Sequence, residues 1–120
     1  MKLFLLVTIL VLQAPLQAQD PKDYLWQKRV LLLFPGNKSA LQKSELTKEF
    51  FGLEERDVII LEANTATFSR YAVKPGQFTI LLLGKDGDEK FRSEQVVKAE
   101  SLFTIIDAMP MRKEELRSRK

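Results

Sequence analysis

Val30-Leu31-Leu32-Leu33-Phe34, ended by Pro35-Gly36, is an unbroken apolar run of strand length. A strand with one wet face alternates apolar and polar residues. A run that is apolar at every position therefore predicts a strand covered on both faces, as in the parallel sheets of α/β domains. Downstream, Ser39-Ala40-Leu41-Gln42 has the spacing of a capping box, and the segment from Ser39 through Leu46, Phe50 and Phe51 reads as one helix with Gly52 as its stop. Asp57 to Leu61 (DVIIL) is a second buried strand, so strand, crossover helix and strand make a right-handed βαβ unit.

Asn64 to Lys74 is ambiguous: Phe68, Tyr71 and Ala72 have helical spacing, whereas Thr65, Thr67 and Val73 are poor helix formers. After Pro75-Gly76, Phe78 to Leu83 (FTILLL) is the third apolar run. The Asp86-Gly87 pair is a hairpin signal, which sends Glu89 to Arg92 back as a charged, antiparallel edge strand. The last element, Lys98 to Ala108, puts Leu102, Ile105, Ile106 and Met109 on one helical face, with Pro110 close to its end. The order is β-α-β-(α)-β-β-α, without repeats or a long linker, and the length suits one domain.

The start of the chain reads differently. Lys2 is the only charge before Asp20, and Leu3 to Leu12 is an apolar stretch broken only by Thr8. It is too short for a bilayer span, which takes about 20 apolar residues. Leu16 and Ala18 stand where a signal peptidase pocket would take them, so residues 1–18 are expected to be a secretory leader cleaved after Ala18 or nearby. The rival reading, an uncleaved anchor, suffers because nothing after Leu12 prolongs the apolar run. Residues 19–120 would then form the mature domain, secreted or periplasmic, with no membrane span left.

Composition limits the chemistry. The 120 residues carry 19 Lys+Arg against 16 Asp+Glu, a net charge of +3, with no Cys and no His. Losing Lys2 with the leader leaves +2, too little for a dedicated nucleic-acid binder. Without Cys or His there is no thiol nucleophile, imidazole base, Ser-His-Asp triad or ordinary zinc site.

The element order is similar to the thioredoxin fold, and Tyr71-Ala72-Val73-Lys74, Thr79 to Leu83 and Lys85-Asp86-Gly87 look like the second half of a thioredoxin. Four further blocks extend the likeness: Tyr24 to Leu32, Glu55-Arg56-Asp57, Gly84 to Gly87 and Ile106-Asp107-Ala108-Met109-Pro110-Met111-Arg112. They resemble domain of unknown function 4174, found in secreted bacterial proteins and in vertebrate sushi-repeat-containing extracellular proteins. The resemblance implies a three-layer, thioredoxin-like or peroxiredoxin-like α/β fold. Its central mixed sheet would have two or three parallel strands plus an antiparallel hairpin edge strand, with helices on both faces. The redox pair of thioredoxins would fall at Gly36-Asn37-Lys38-Ser39, where no sulfur stands, and their cis-proline at Phe78.

Each candidate site has a structural rival. Gly36, Asn37, Lys38 and Ser39 open a predicted helix, where free N–H groups can hold an anion, or else form a plain loop and cap. Asn37-Lys38-Ser39 is also an N-glycosylation acceptor in a eukaryotic chain. Asp86 to Glu89 lacks the alternation of a calcium loop and reads as a hairpin. Glu54-Glu55-Arg56-Asp57 offers paired carboxylates for acid/base work but lies at the wrong end of the sheet, so an Arg-carboxylate pair holding the loop is the expectation. Tyr24 and Trp26 read as covers for one end of the core, with a binding platform as the alternative. The Met109-Pro110-Met111 turn is either an adaptable apolar contact or a helix stop, with Met109 packed inward. The tail 112–120, with Arg112, Lys113, Arg117, Arg119 and Lys120, either steers toward anionic surfaces or is a solvated terminal helix or frayed end.

The expected function is a thiol-free, non-catalytic binding or accessory module for an envelope or extracellular protein, needing no cofactor and no metal. Its partner would meet Gly36 to Ser39, Asn64, Gln77 and Phe78, at the carboxyl ends of the parallel strands. A carboxylate or anion-site enzyme and adhesion through the basic tail are the alternatives.

Overall fold

Arg29–Phe34 forms β1 at the centre of a four-stranded sheet, and all six of its residues are buried. The protein is described by a computed structural model over residues 20–119, so the expected leader 1–18 and Lys120 lie outside the described residues. The sheet order is β2-β1-β3-β4, with β2 at Val58–Glu62, β3 at Thr79–Leu83 and β4 at Glu89–Ser93. β1 and β2 are parallel, with Val30 beside Ile59; β3 runs antiparallel to β1, with Phe34 opposite Thr79. β4 returns antiparallel beside β3, completing the mixed sheet with its hairpin edge.

Alternation along β1 and β3 builds two cores, because successive side chains leave opposite faces of a strand. Leu31, Leu33, Ile80 and Leu82 pack with Leu46, Leu53, Leu102 and Ile106 on one face. Those partners come from α1 (Ser39–Thr47), α2 (Phe50–Glu55) and α4 (Ala99–Asp107). Val30, Leu32, Leu81 and Leu83 pack on the other face with Val73, Tyr24 and Phe68, around α3 (Thr65–Arg70) and a 3₁₀ turn at Pro21–Tyr24. Helices thus cover both faces. Arg70 ties the two outer elements together by pairing with both oxygens of Asp20 at 3.0 and 2.9 Å, which holds that carboxyl at about 2.

Four sequence expectations change. The single helix from Ser39 is two, broken at Lys48-Glu49, and Gly52 lies inside α2 rather than at its stop. It is small for a packing reason: a Cβ there would fall 2.6 Å from Cζ of Phe103 on α4. The capping box does not form, since Ser39 Oγ accepts from Gly36 N at 2.9 Å and the Gln42 side chain is buried elsewhere. β2 is an edge strand with Ile60 and Glu62 exposed, not a strand buried on both faces. Finally, Pro110 does not merely stop α4; it starts α5 (Pro110–Ser118), where its missing N–H costs nothing.

Candidate functional site

The parallel pairing of β1 and β2, with β3 reversed, brings Gly36, Asn37, Lys38, Ser39, Asn64, Gln77 and Phe78 to one pole of the sheet, as their placement in the sequence suggests. Their polar groups are largely engaged within the fold. Lys38 Nζ donates to Gln95 Oε1 at 2.9 Å and to Glu94 O at 3.3 Å. Asn64 caps α3 by accepting from Thr67 N, and the Gln77 carbonyl accepts from Thr79 Oγ1. Phe78 is buried so close to the β1–α1 turn that a Cβ on Gly36 would lie 2.5 Å from Phe78 N. One turn into α1, the buried Gln42 amide donates to Val97 O and accepts from Val97 N, both at 2.8 Å. The contacts at this pole are neutral or involve the single charge of Lys38, and Asn37 stays exposed.

The opposite pole holds the charge. Arg29, only 1% exposed, donates through Nη1 to Arg56 O at 2.8 Å and through Nη2 to Glu115 Oε2 at 3.1 Å. Lys85 Nζ bridges Glu115 and Asp57 at 2.8 and 2.9 Å. Arg56 pairs with both oxygens of Asp107 at 2.9 and 3.0 Å, and its guanidinium lies 4.0 Å over the Phe103 ring. Asp57, which carries φ of +56° at the entry to β2, receives Lys28 as well. Asp tolerates that left-handed backbone better than most residues, and its ion pairs hold the conformation. Burial pushes the Glu115 carboxyl up, but hydrogen bonds from Lys85 and Arg29 outweigh it, leaving the group below its ordinary 4.5. Asp57 follows the same pattern, with burial opposed by Lys85 first and Lys28 next. Asp107 is lowered chiefly by its hydrogen bond from Arg56.

A cleft of about 560 Å³ opens beside this cluster, within the range of small-molecule sites. Its polar wall is Arg29, Lys85, Lys90 and Asp86; its apolar wall comes from Ile105, Ala108, Met109 and Met111. Pro110 also lines it, at the start of α5, which has no side-chain cap and no acid in its first turn. Among the described residues, Arg29 Nε is the one buried side-chain nitrogen or oxygen without a hydrogen-bond partner.

In the tail, Arg112 departs from both sequence readings, anionic-surface contact and solvated end: it is 2% exposed and points among Asp107, Glu115 and Glu55, with Nη1 donating to Glu55 O at 3.3 Å. Arg117 pairs with Glu114, and Arg119 lies against Glu55; Lys113 is exposed. The Glu54 to Asp57 stretch does hold an Arg-carboxylate pair, but the main partner of Arg56 is Asp107 on α4. Trp26 is 65% exposed, against the expectation that it covers the core, whereas Tyr24 packs against the second core. In the hairpin, Asp86 accepts from Asp88 N and from Lys90, and Arg92 pairs with Glu89.

Sequence reading missed Arg29, Lys85, Lys90 and Glu115 as a group. The available signal was Arg29 abutting a fully apolar run, since a cation at the mouth of a buried strand needs a partner. The partner itself is 86 residues away.

Residues 62–115 match the family model described as a domain of unknown function, DUF4174. That stretch contains every cleft-lining residue except Arg29. No curated protein matches the chain. Among solved structures, thioredoxin peroxidase I of Plasmodium yoelii is similar at a TM-score of 0.58 and 14% identity, over 78% of this chain and 79% of that one. Thioredoxin-2, a component of malaria parasite protein secretion machinery, is similar at a TM-score of 0.53 and 21% identity, over 68% of this chain and 84% of that one. The mitochondrial 2-Cys peroxiredoxin of Plasmodium falciparum gives a TM-score of 0.52 and 14% identity, over 74% and 79%. At these identities the likeness establishes the fold: the chain is a thioredoxin-like α/β domain.

Proposed function

We propose that the chain serves as a secreted or periplasmic, thiol-free binding or accessory module for an envelope or extracellular protein. One observation carries this reading: the β1–α1 turn, where a thioredoxin-like redox pair belongs, is Gly36-Asn37-Lys38-Ser39 in a chain without a single cysteine. Thiol–disulfide exchange and thiol peroxidation both need a thiolate, so the inherited chemistry has no nucleophile. The turn's groups support the same reading, because Lys38, Ser39 and Gly36 are committed to internal contacts. Export is proposed from the apolar stretch Leu3 to Leu12 behind Lys2, with cleavage near Ala18. Among the described residues no helix is long and apolar enough to cross a membrane.

Two assays test it. Purified chain should not accelerate insulin reduction by dithiothreitol or consumption of hydrogen peroxide by a thiol; a rate that survives repurification overturns the non-catalytic reading. Capture from an envelope extract should retain a protein in stoichiometric amount, unchanged by reductant. Capture that depends on reductant, or no capture, argues against the binding-module reading.

A further inference from the structure

We infer that β2 is a self-association edge: two copies of the chain join antiparallel along it, about a two-fold axis at Ile60, and make one continuous sheet. The two edges of the sheet are built differently. β4 has the defences of a free edge, since Glu89, Lys90 and Arg92 are charged and the pairing beside it shifts register between Leu82 and Leu83. β2 reads Val58-Ile59-Ile60-Leu61-Glu62, pairs with β1 without a shift, and carries no lysine or proline. A straight apolar edge is a template for another strand, and natural sheets cover or blunt such edges.

The backbone fixes which groups are on offer. Arg29 N donates to Asp57 O and Ala63 N donates to Leu33 O, so the odd-numbered residues from 57 to 63 turn their N–H and C=O groups toward β1. Successive residues alternate, so the groups of Val58, Ile60 and Glu62 point outward, and among the described residues they have no partner. An antiparallel copy centred on Ile60 sets Ile60 against its counterpart and Val58 against Glu62. All of these are then hydrogen-bonded pairs, and the bonds use every free group on both edges. Moving the centre by one residue leaves Val58 or Glu62 beyond the end of the partner strand.

The side chains favour a second copy over a foreign strand. Val58 packs into the core beneath α1, α2 and α4, so Ile60 leaves the sheet on that same face, where it is exposed. Across the axis Ile60 meets Ile60 and Ile59 meets Leu61, aliphatic pairs that suit adjacent strands. The strand's one charge, Glu62, is paired with Lys43 of its own α1, so two copies approach with no like charges opposed. α2 packs on β2 and opens with Phe50 and Phe51, which are 54% and 81% exposed and paired edge to face at 5.7 Å. The two-fold puts both α2 helices on one face of the joined sheet, so these rings flank the seam. Two short strands and their flanking rings bury on the order of 1,000 Å², at the low end for specific interfaces, which fits a dimer formed at tens of micromolar rather than an obligate one.

Sedimentation equilibrium and amide hydrogen exchange on the purified chain, from about 5 to 500 µM, test this, and the mass should rise from monomer to dimer over that range. At a total concentration about ten times the dissociation constant, about four fifths of the chain is dimeric, so the amides of Val58, Ile60 and Glu62 should exchange about fivefold more slowly than in dilute solution. Those of Ile59 and Leu61, turned toward β1 in either state, should not change. Ile60→Lys sets two ammonium groups at the axis and should keep the chain monomeric with an unchanged circular dichroism spectrum. Should that variant not fold, the alternating protection in the unaltered chain still decides. A chain that stays monomeric throughout, a dimer whose Val58, Ile60 and Glu62 amides gain no protection, or a folded Ile60→Lys chain that still dimerises would overturn the inference. So would protection of those three amides at every concentration, which would assign the edge to a segment of the same chain such as residues 1–19. These outcomes leave the thiol and capture assays untouched.

Discussion

The two poles of the sheet are held by different physics. At the carboxyl ends of β1 and β2, closure comes from shape and neutral hydrogen bonds: Gly36 against Phe78, and the Gln42 amide against Val97. At the amino ends, it comes from charge: Arg29, Arg56, Lys85 and Arg112 interleaved with Asp57, Asp107 and Glu115. In thioredoxin-like architecture the first pole is where loops and ligands gather. Here Lys38, Ser39 and Asn64 at that pole make contacts within the fold, and a cleft opens at the second.

The sharpest way to break the comparison is Arg29→Ala. It leaves Arg56 O and Glu115 short of a buried cationic donor, and should cost about 3–5 kcal/mol in urea unfolding. A loss under about 1 kcal/mol would place the pair among weak surface bridges and erase the contrast between poles. Next, Gln42→Leu leaves Val97 N–H and C=O without partners in the core and should cost about 2–3 kcal/mol. Gly36→Ala forces an atom against Phe78 and should cost about 1–3 kcal/mol. Phe78→Ala should not rescue it, because the crowded atoms are Phe78 N, Cα and Cβ, which alanine retains.

Acid should separate the poles more gently, since the carboxylates concerned are part-exposed. Asp57, Asp107 and Glu115 are each held below their ordinary values of 3.8, 3.8 and 4.5. A depressed folded-state value stabilises fully above the ordinary value and is lost as pH falls through the folded one. The unfolding midpoint should thus be flat near neutrality and drop below about pH 4. The drop should be shallower in Arg29→Ala and unchanged in Gln42→Leu. The smallest effect is expected at Arg117, whose exposed pair with Glu114 should contribute no more than about 0.5 kcal/mol, so Arg117→Gln should leave the melting curve nearly in place.

Much of the fold was legible because its signals are local. The three apolar runs, the Asp86-Gly87 turn and the face of Leu102, Ile106 and Met109 each declare an element within a few residues. Gln42 misled for the opposite reason: its spacing from Ser39 suits a capping box, but its partner is Val97, 55 residues on. Arg112 misled likewise, since a run of basic residues looks solvated until α5 folds back onto the ion cluster. The edge position of β2 was hidden because Val58 to Leu61 is as apolar as a central strand.

From the residues alone came the α/β order, the absence of any sulfur or imidazole chemistry, and the strands' double-sided burial at β1 and β3. Those follow from composition and short-range periodicity, which a linear chain displays directly. Only the folded arrangement decided that Arg29, Lys85 and Lys90 share a wall, that Arg112 is inside, and that the open cleft lies at the amino pole. Ion pairs and cavities depend on which distant segments meet. Coulomb attraction acts across space, so the partner of a charge cannot be read from its neighbours in the chain.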